Sequence, residues 1–266
     1  MPIHYQQLGD HIIRITIDRP EVKNALDKYH FRDLAKAWRR FRDDPDDWVA
    51  IITGVGRSFM AGGDLRTYIP EMTGPRADGR DEDDDGCRPD DGRDAVLRGL
   101  DVFKPIIAAV NGPCVAGGME MLGGIDIRLA TTHASFGVME PKRGLFAGGG
   151  STARLPRQIP FPAAMEFLLT AERFPAERAL ELGLLNEIVD EDALQDRAVW
   201  WARRITVNAP LAVQATKESV LIGLRQTLAG ALETESEIST RVFLTEDAQE
   251  GPRAFIEKRD PVWKGR

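Results

Sequence analysis

The stretch 106–129, IIAAVNGPCVAGGMEMLGGIDIRL, contains the pattern that decides the fold. Its first five residues, Ile106 to Val110, are all apolar and predict a strand that is buried on both faces. Asn111-Gly112-Pro113 then predicts a turn, and a short helix is expected to begin near Gly117. The next apolar stretch, Ile125 to Leu129, predicts another strand. Such a close succession of strand, turn and helix predicts an α/β or α+β core.

The same succession occurs closer to the N-terminus. His11 to Asp18 alternates isoleucine with polar residues, which predicts a half-buried strand. Asp27 is placed to cap a helix whose apolar residues recur at three- and four-residue spacing as far as Phe41. The segment 48–53, WVAIIT, predicts the strand that follows.

From about residue 148 the apolar spacing is mostly helical. Helices are predicted over 192–206, 210–230 and 231–245. The sequence therefore predicts a core over residues 1–200, with an acidic loop at about 72–94, and a C-terminal helical region over 201–266.

Composition and charge exclude several classes of protein. With 266 residues, 42% of them apolar, the chain can bury a sizeable core, and its 25 glycines and 16 prolines are too few for a low-complexity chain. The net charge of −7 has the wrong sign for a protein that binds nucleic acid through its phosphates. Residues 78–94 contain nine acidic residues and three arginines, so the segment 76–94 is predicted to be a solvated, mobile loop.

Cysteine usage and hydropathy predict the compartment. Two cysteines are too few for a disulfide scaffold, and the first twenty residues lack the regions of a secretion signal. No stretch approaches the roughly 18 apolar residues that span a bilayer. We therefore expect a cytoplasmic protein with neither a membrane nor a nucleic acid as its partner.

The searches for metal, nucleotide and serine-nucleophile motifs are negative. The four histidines form no metal-binding pair, and no G-x-G-x-x-G signature, phosphate-loop lysine or G-x-S-x-G motif is present. The sequence predicts neither a bound metal nor a nucleotide cofactor.

Two glycine-rich turns remain as candidates for chemistry. In the first, Phe59 to Asp64 (FMAGGD), the glycines allow the backbone to approach a ligand closely. The second, Asn111 to Glu120 (NGPCVAGGME), lies where a helix begins, so its N–H groups favour an anion. One N–H donor from each turn can form an oxyanion hole, where the loss of a donor costs roughly 3 to 4 kcal/mol.

Two glutamates lie among apolar neighbours. Glu120 comes three residues after Gly117, and Glu140 precedes Pro141, which disfavours a helical backbone at residue 140. Burial raises the pKa of a carboxyl group, and two neighbouring carboxylates push their pKa values apart, which yields one acid and one base. Such a pair suits proton transfer and the activation of water.

Each of these features also has a purely structural interpretation. Glycine turns commonly serve tight connections, Glu120 could pair with an arginine, and Glu140 could be an exposed residue before a proline. The aromatic residues and leucines of the last hundred positions are best interpreted as a helix-packing surface.

Six motifs, in this order along the chain, resemble the crotonase (enoyl-CoA hydratase/isomerase) superfamily, and most of all its enoyl-CoA hydratases. They are IDRPEVKNAL (17–26), SFMAGGDL (58–65), KPIIAAVNG (104–112), AGGME (116–120), FGVME (136–140) and GPRAFIEKR (251–259). The resemblance covers almost the whole chain. It implies an α/β crotonase-type spiral of ββα turns with a C-terminal α-helical trimerisation region, assembled as a homotrimer or a dimer of trimers.

The resemblance also implies an acyl-CoA thioester as substrate and no cofactor, since coenzyme A is part of the substrate. It implies Gly63 and Gly117 as the oxyanion-hole donors and Glu120 and Glu140 as the catalytic residues. The further residues that it implies for binding CoA and lining the site are Val22, Lys23, Ala25, Ala61, Asp64, Leu65, Arg66, Gly148, Phe255 and Lys258.

Having both glutamates implies a hydratase, in which water adds across the C2=C3 bond of a trans-2-enoyl-CoA. Glu120 would assist the attack of water at C3, and Glu140 would deliver the proton to C2. The alternatives are an enoyl-CoA isomerase or an acyl-CoA lyase that uses one glutamate, and a non-catalytic acyl-CoA-binding protein. Gly63 and Ala147 replace a frequent alanine and a frequent proline of the family pattern. The acidic segment lies in the region that usually shapes the acyl pocket in this family, so the sequence does not identify the acyl group of the substrate.

Overall fold

The computed structural model describes residues 2–74 and 86–266, which form two sheets surrounded and followed by helices. The strands are β1 Ile3–Gly9, β2 Ile12–Ile17, β3 Val49–Gly54, β4 Ile106–Val110, β5 Cys114–Val115, β6 Ile127–Thr131, β7 Ser135–Gly137, β8 Phe174–Pro175 and β9 Glu187–Val189. The helices are α1 Lys28–Asp43, α2 Tyr68–Thr73, α3 Asp91–Ala95, α4 Gly117–Leu122, α5 Ser151–Gln158, α6 Phe161–Thr170, α7 Ala176–Glu181, α8 Leu194–Thr206, α9 Pro210–Gly223, α10 Leu228–Phe243 and α11 Glu246–Glu257.

The larger sheet has the strand order β1-β2-β3-β4-β6-β9. Only the β1–β2 pair is antiparallel; the other pairs are parallel. Every residue of β4 is buried, as the unbroken apolar run at 106–110 predicts. Helix α8 packs on β3 and β4, so the strands at the centre of this sheet have no polar face to offer to water.

The smaller sheet shows that the chain winds as a spiral. Its order is β5-β7-β8, and Cys114 of β5 pairs with Phe136 of β7. Met60, which follows β3, forms a parallel bridge with Cys114. Each turn of the chain therefore adds first to the larger sheet and then to the smaller one. This confirms the predicted α/β spiral with helices at its C-terminal end.

Helix α1 begins as its sequence predicts. The Asp27 side chain accepts hydrogen bonds from the Tyr29 and His30 N–H groups at 3.0 and 3.1 Å, which satisfies donors that a helix leaves free at its start. The apolar face of α1 is buried, and the Trp38 indole N–H donates to the Ala95 carbonyl oxygen at 3.1 Å. This contact fixes α3 against α1, beside the site described below.

The prediction of a solvated loop over 76–94 is wrong at its C-terminal end. Asp91 and Asp94 lie in α3, where both are buried. Both carboxylates accept hydrogen bonds from Arg39 of α1, at 2.7 and 2.6 Å, and this pairing makes their burial tolerable. The part of the predicted loop at 75–85 lies outside the described residues.

The helix boundaries predicted at 210–230 and 231–245 are also wrong. Helix α9 ends at Gly223, and α10 starts after Thr227, whose hydroxyl accepts from the Gly230 N–H at 3.3 Å. Thr245 caps α11 in the same way. Threonine caps, rather than apolar periodicity, set these boundaries.

The predicted boundary at residue 200 falls inside α8, whose buried residues pack on the larger sheet. None of the helices in the described ranges is long and apolar enough to cross a bilayer.

Candidate active site

The smaller sheet brings the two glycine-rich turns together. Gly63 and Gly117 each come three residues after one partner of the Met60–Cys114 bridge. Gly62 has φ +90°, and a β-carbon on it would lie 2.8 Å from the Gly117 nitrogen. Only glycine fits there, so the residue type itself allows the close approach of the two turns.

The amide groups of Gly63 and Gly117 are available to a ligand. Neither N–H donates a hydrogen bond to another residue of the described ranges, and both residues line one cavity. Gly117 is also the first residue of α4, where N–H groups have no partner within the helix. The residue before it, Ala116, has φ 51° and ψ −123°, a strained conformation for an L-residue. Its N–H donates to the Gly137 carbonyl oxygen at 2.9 Å, which holds it in place.

The cavity has a volume of ≈ 840 Å³, within the range of small-molecule sites. The sequence-predicted site residues that line it are Ala61, Gly63, Leu65, Gly117, Glu120, Glu140 and Gly148. Those that do not line it are Val22, Lys23, Ala25, Asp64, Arg66, Phe255 and Lys258. The two turns, both glutamates and the glycine run thus meet at one place.

The segment 22–25 nevertheless adjoins the first turn. The next residue, Leu26, donates from its N–H to the Gly62 carbonyl oxygen and accepts from the Asp64 N–H, each at 2.8 Å. Asp64 is buried, and its side chain accepts from the Arg66 N–H at 2.8 Å. Its carboxylate therefore stabilises the conformation of the first turn.

The two C-terminal residues that the resemblance implies for binding CoA lie outside the cavity wall of this chain. Phe255 belongs to α11 and is 85% exposed. Lys258 caps the end of the same helix with a left-handed backbone. In this single chain α11 contributes nothing to the cavity wall.

Glu120 projects from α4 and is half-buried. Burial raises the pKa of its carboxyl group above the usual value, although a hydrogen bond from the Gly149 N–H and the charges of Arg98 and Arg154 oppose part of this rise. The alternative expectation of a side-chain pair with an arginine is wrong, because Arg154 donates to the Glu120 main-chain oxygen at 3.0 Å. The carboxylate form of Glu120 is thus held by a backbone donor.

Glu140 opens a short 3₁₀ helix, Glu140–Arg143, on another part of the wall. Burial, reinforced by the negative charge of Glu120, raises its pKa from the usual 4.5 to about 7. Its Oε2 atom is buried and takes no hydrogen bond from the described part of the chain, so the alternative of an exposed residue is wrong. Near neutral pH the Glu140 carboxyl is therefore protonated in about half of the molecules, and the two glutamates lie in different electrostatic environments.

Comparison with known proteins places the chain in a family. Residues 7–266 match the family described as enoyl-CoA hydratase/isomerase. The chain belongs to this family.

Its similarity to family members extends over nearly full length. It is 40% identical to enoyl-CoA hydratase EchA19 of Mycobacterium tuberculosis, over 96% of this chain and 94% of that protein. It is 38% identical to (E)-benzylidenesuccinyl-CoA hydratase of Thauera aromatica, over 100% of both chains. The crystal structure of an enoyl-CoA hydratase from Mycobacterium tuberculosis H37Rv superposes with a TM-score of 0.87 at 38% identity, covering 100% of this chain and 99% of that one.

Two residues of this family member's cavity escaped the sequence analysis. Gly149 donates its N–H to the Glu120 carboxylate, and a β-carbon on Gly149 would overlap that carboxylate. The run of three glycines at 148–150 signals the close approach but not which glycine makes it. Tyr68 lines the cavity beside Gly63, and burial together with the charge of Glu120 raises its pKa. Nothing in its sequence context distinguishes Tyr68.

Arg154 of α5 is a third missed residue. Besides its bond to the Glu120 main chain, its guanidinium donates to the carbonyl oxygens of Val96 and Leu97. It joins the end of α4 to the turn that follows α3. A lone arginine in a helical pattern gives no hint of this role.

No group of three or more His, Cys, Asp or Glu side chains over residues 2–74 and 86–266 is arranged to hold a metal ion.

Proposed function

We propose that this protein is an enoyl-CoA hydratase, which adds water across the C2=C3 bond of a trans-2-enoyl-CoA thioester. The observation that carries the proposal is the pair Glu120 and Glu140, which line one cavity with different environments. Hydration needs both a base for water and an acid for the α-carbon. An isomerase or lyase that uses one glutamate leaves the second carboxyl without a task.

The thioester oxygen accepts hydrogen bonds from the N–H groups of Gly63 and Gly117. Negative charge grows on this oxygen as water attacks, so the two donors stabilise the enolate-like transition state more than the ground state. The start of α4 adds its positive dipole end to the same oxygen.

The proton transfers follow the pKa order. The water oxygen bonds to C3 while Glu120, ionised and held by Gly149, takes a proton from that water. The electron pair of the C2=C3 bond moves toward the thioester, and protonated Glu140 delivers its proton to C2. The product is a 3-hydroxyacyl-CoA, and the proton that Glu120 gained is returned to Glu140 through solvent before the next turnover.

No cofactor takes part, because the thioester supplies the activation and coenzyme A enters as part of the substrate. The assembly is a homotrimer or a dimer of trimers. Large exposed apolar residues on and beside α9 to α11 favour burial between subunits; they include Leu224, Leu228, Phe243, Leu244 and Phe255. Sedimentation of the purified protein measures the number of subunits.

The test of the activity is loss of the conjugated enoyl-thioester absorbance on crotonyl-CoA and a longer homologue. We expect the absorbance to fall and a 3-hydroxyacyl-CoA to appear. Isomerisation of a 3-enoyl-CoA with no hydration of either substrate would assign the isomerase alternative instead. Binding of the CoA esters without any turnover would assign a non-catalytic role.

A further inference from the structure

The described part of the cavity wall carries more cationic than anionic side chains. Glu120 and Glu140 are the only acidic residues in the described part of its wall. Its cationic lining residues are Arg93, Arg98, Arg143 and Arg173. An unsubstituted alkyl chain offers no partner to a guanidinium, and an arginine beside an apolar ligand loses hydration without compensation. The excess of positive charge therefore points to a further anionic group in the ligand.

The arginines differ in whether they are already paired. Arg93 forms an ion pair with Asp90, and the Arg143 guanidinium donates to the Lys142 carbonyl oxygen at 3.2 Å. The guanidinium groups of Arg98 and Arg173 make no hydrogen bond or ion pair within the described ranges. Arg98 reaches solvent and the cavity together, so it can take a ligand group without breaking an existing contact.

Arg98 lies beyond Glu120 as seen from the proposed oxyanion hole. Helix α4 starts at Gly117, and Glu120 is one turn further on. Past the helix end, Leu97 lies against Gly124, where an added β-carbon would be 2.9 Å from the Leu97 Cβ. The bonds from Arg154 hold this turn to the Glu120 main chain. The charge of Arg98 is also close enough to lower the pKa of Glu120.

This order matches the order of atoms in an enoyl thioester. The oxygen lies at Gly117 and C3 lies beside Glu120, so the acyl chain continues towards Arg98. Helix α4 spans Gly117–Leu122, about 8 Å at roughly 1.5 Å per residue, and Gly124 lies past its end. We therefore test an acyl group whose end lies three carbons beyond C3.

We infer that Arg98 is a specificity-determining residue that binds a carboxylate at the far end of the substrate's acyl group. The inference rests on the proposed function and narrows it to enoyl-CoA esters with an anionic acyl end. Arginine suits this role because its planar fork donates two hydrogen bonds to one carboxylate.

The phosphates of CoA are the other possible source of an anion. The sulfur and the α-carbon leave the trigonal thioester carbon in different directions, so CoA and the end of an extended acyl chain lead away from the carbonyl by different routes. Since Arg98 lies past Glu120, it lies on the acyl side.

The experiment compares two substrates of nearly the same shape. One is trans-2-hexenedioyl-CoA, which ends in a carboxylate, and the other is 6-methyl-trans-2-heptenoyl-CoA, which ends in an isopropyl group. We expect kcat/KM to favour the carboxylated ester by about ten- to a hundredfold, the size of a charged hydrogen bond. Arg98→Gln should remove this preference, and Arg98→Lys should restore part of it. Arg173→Gln is the matched control, because it removes an unpaired guanidinium from another part of the same wall and should retain the preference.

Four results would overturn the inference. The first three are a wild-type preference for the neutral ester, an equal loss on both esters in Arg98→Gln, and loss of the preference in Arg173→Gln. The second result would assign Arg98 to the CoA phosphates. The third would attribute the preference to the general positive charge of the cavity. A role of Arg98 in the titration of Glu120 alone would shift the pH profile for both esters and leave their ratio unchanged, which also overturns it.

Binding of the saturated esters separates this inference from the proposed function. Hexanedioyl-CoA and 6-methylheptanoyl-CoA cannot be hydrated, and their dissociation constants need no turnover. If neither enoyl ester is hydrated but hexanedioyl-CoA binds more tightly in an Arg98-dependent way, the hydratase fails while the recognition of a carboxylate stands. If both enoyl esters are hydrated with equal efficiency, the proposed hydratase activity stands and the recognition of a carboxylate fails.

Discussion

Glu120 and Glu140 face the same cavity from two differently built parts of its wall. Glu120 stands on α4 and accepts a hydrogen bond from the Gly149 N–H, with two arginine charges close enough to lower its pKa. Glu140 starts a 3₁₀ helix, its Oε2 atom has no donor within the described ranges, and the like charge of Glu120 helps to raise its pKa. Two chemically identical side chains thus acquire different proton affinities.

The difference teaches that backbone donors and neighbouring charges can give two buried glutamates the different proton affinities that the proposed acid and base need. Desolvation acts on both residues in the same direction. At Glu120 a backbone donor and two cations oppose it, whereas at Glu140 only the Met139 and Glu140 N–H groups oppose it, and the negative charge of Glu120 adds to it. Changes to these opposing groups, or to either carboxyl itself, should therefore alter the two glutamates unequally.

Replacing the acid should have the largest effect. Glu140→Gln keeps the shape of the side chain but has no ionisable proton to deliver to C2, so we expect kcat for crotonyl-CoA to fall by about 10² to 10⁴. Initial rates of absorbance loss measure this, with CoA-ester affinity as the control for folding. A variant that retains more than a tenth of the activity would remove Glu140 from the chemistry.

The support of Glu120 is tested through two adjacent glycines. Gly149→Ala places a β-carbon inside the Glu120 carboxylate, whereas a β-carbon on Gly148 would have its nearest neighbour at 3.8 Å. We expect about a hundredfold loss of kcat in Gly149→Ala, since a misplaced catalytic group costs this much, and at most a severalfold loss in Gly148→Ala. Equal losses in both variants would show that the glycine run acts by flexibility rather than by its contact with Glu120.

Stability should also distinguish the two glutamates. Because the pKa of Glu140 is raised from 4.5 to about 7 in the folded protein, its contribution to the free energy of unfolding is greatest below pH 4.5. This contribution is lost as the pH rises through 7. Glu140→Gln removes the buried charge, so at pH 8 we expect it to raise the free energy of unfolding by on the order of 2 to 3 kcal/mol. Glu120→Gln should gain less, because it also loses a charged acceptor for Gly149. Urea unfolding at pH 5 and pH 8 measures both variants.

The rate of hydration should fall as the pH rises past the pKa of Glu140. If the protonated carboxyl is the acid, kcat/KM falls about tenfold for each pH unit above a pKa of about 7. At low pH the protonation of Glu120 lowers the rate as well. The residual activity of Glu140→Gln should lack the alkaline decline. A rate that rises steadily from pH 6 to pH 9 would reverse the two assignments.

The smallest effect concerns the turn that carries Gly117. Ala116 has a positive φ, and glycine adopts this conformation without strain, so Ala116→Gly should stabilise the fold by about 1 kcal/mol. Thermal unfolding measures this, and activity should change little because the Gly117 amide keeps its position. A lower melting temperature would mean that the greater freedom of glycine in the unfolded chain outweighs the strain.

Sequence reasoning was most successful where local patterns carry the information. The apolar run at 106–110 became a buried central strand, and Asp27 became a helix cap. Both features depend on residues that are close together in the sequence. The glycine-rich turns could likewise be located, although their meeting across the Met60–Cys114 bridge depends on sheet pairing.

The contacts that sequence reasoning missed join distant segments. Arg39 pairs with Asp91 and Asp94 more than fifty positions away, and this pairing turned part of a predicted loop into a buried helix. Arg154 meets the Glu120 main chain 34 positions away. Such partners become visible only after the sheets have placed them, because the local composition of an acidic segment is the same with or without a buried guanidinium nearby.

The bridge between Met60 and Cys114 has a consequence for the precision of the proposed oxyanion hole. Since Gly63 and Gly117 each follow one partner of this bridge by three residues, main-chain pairing brings the two turns together. Their meeting depends on the backbone, so side chains around the cavity can change while the positions of the two amides stay the same.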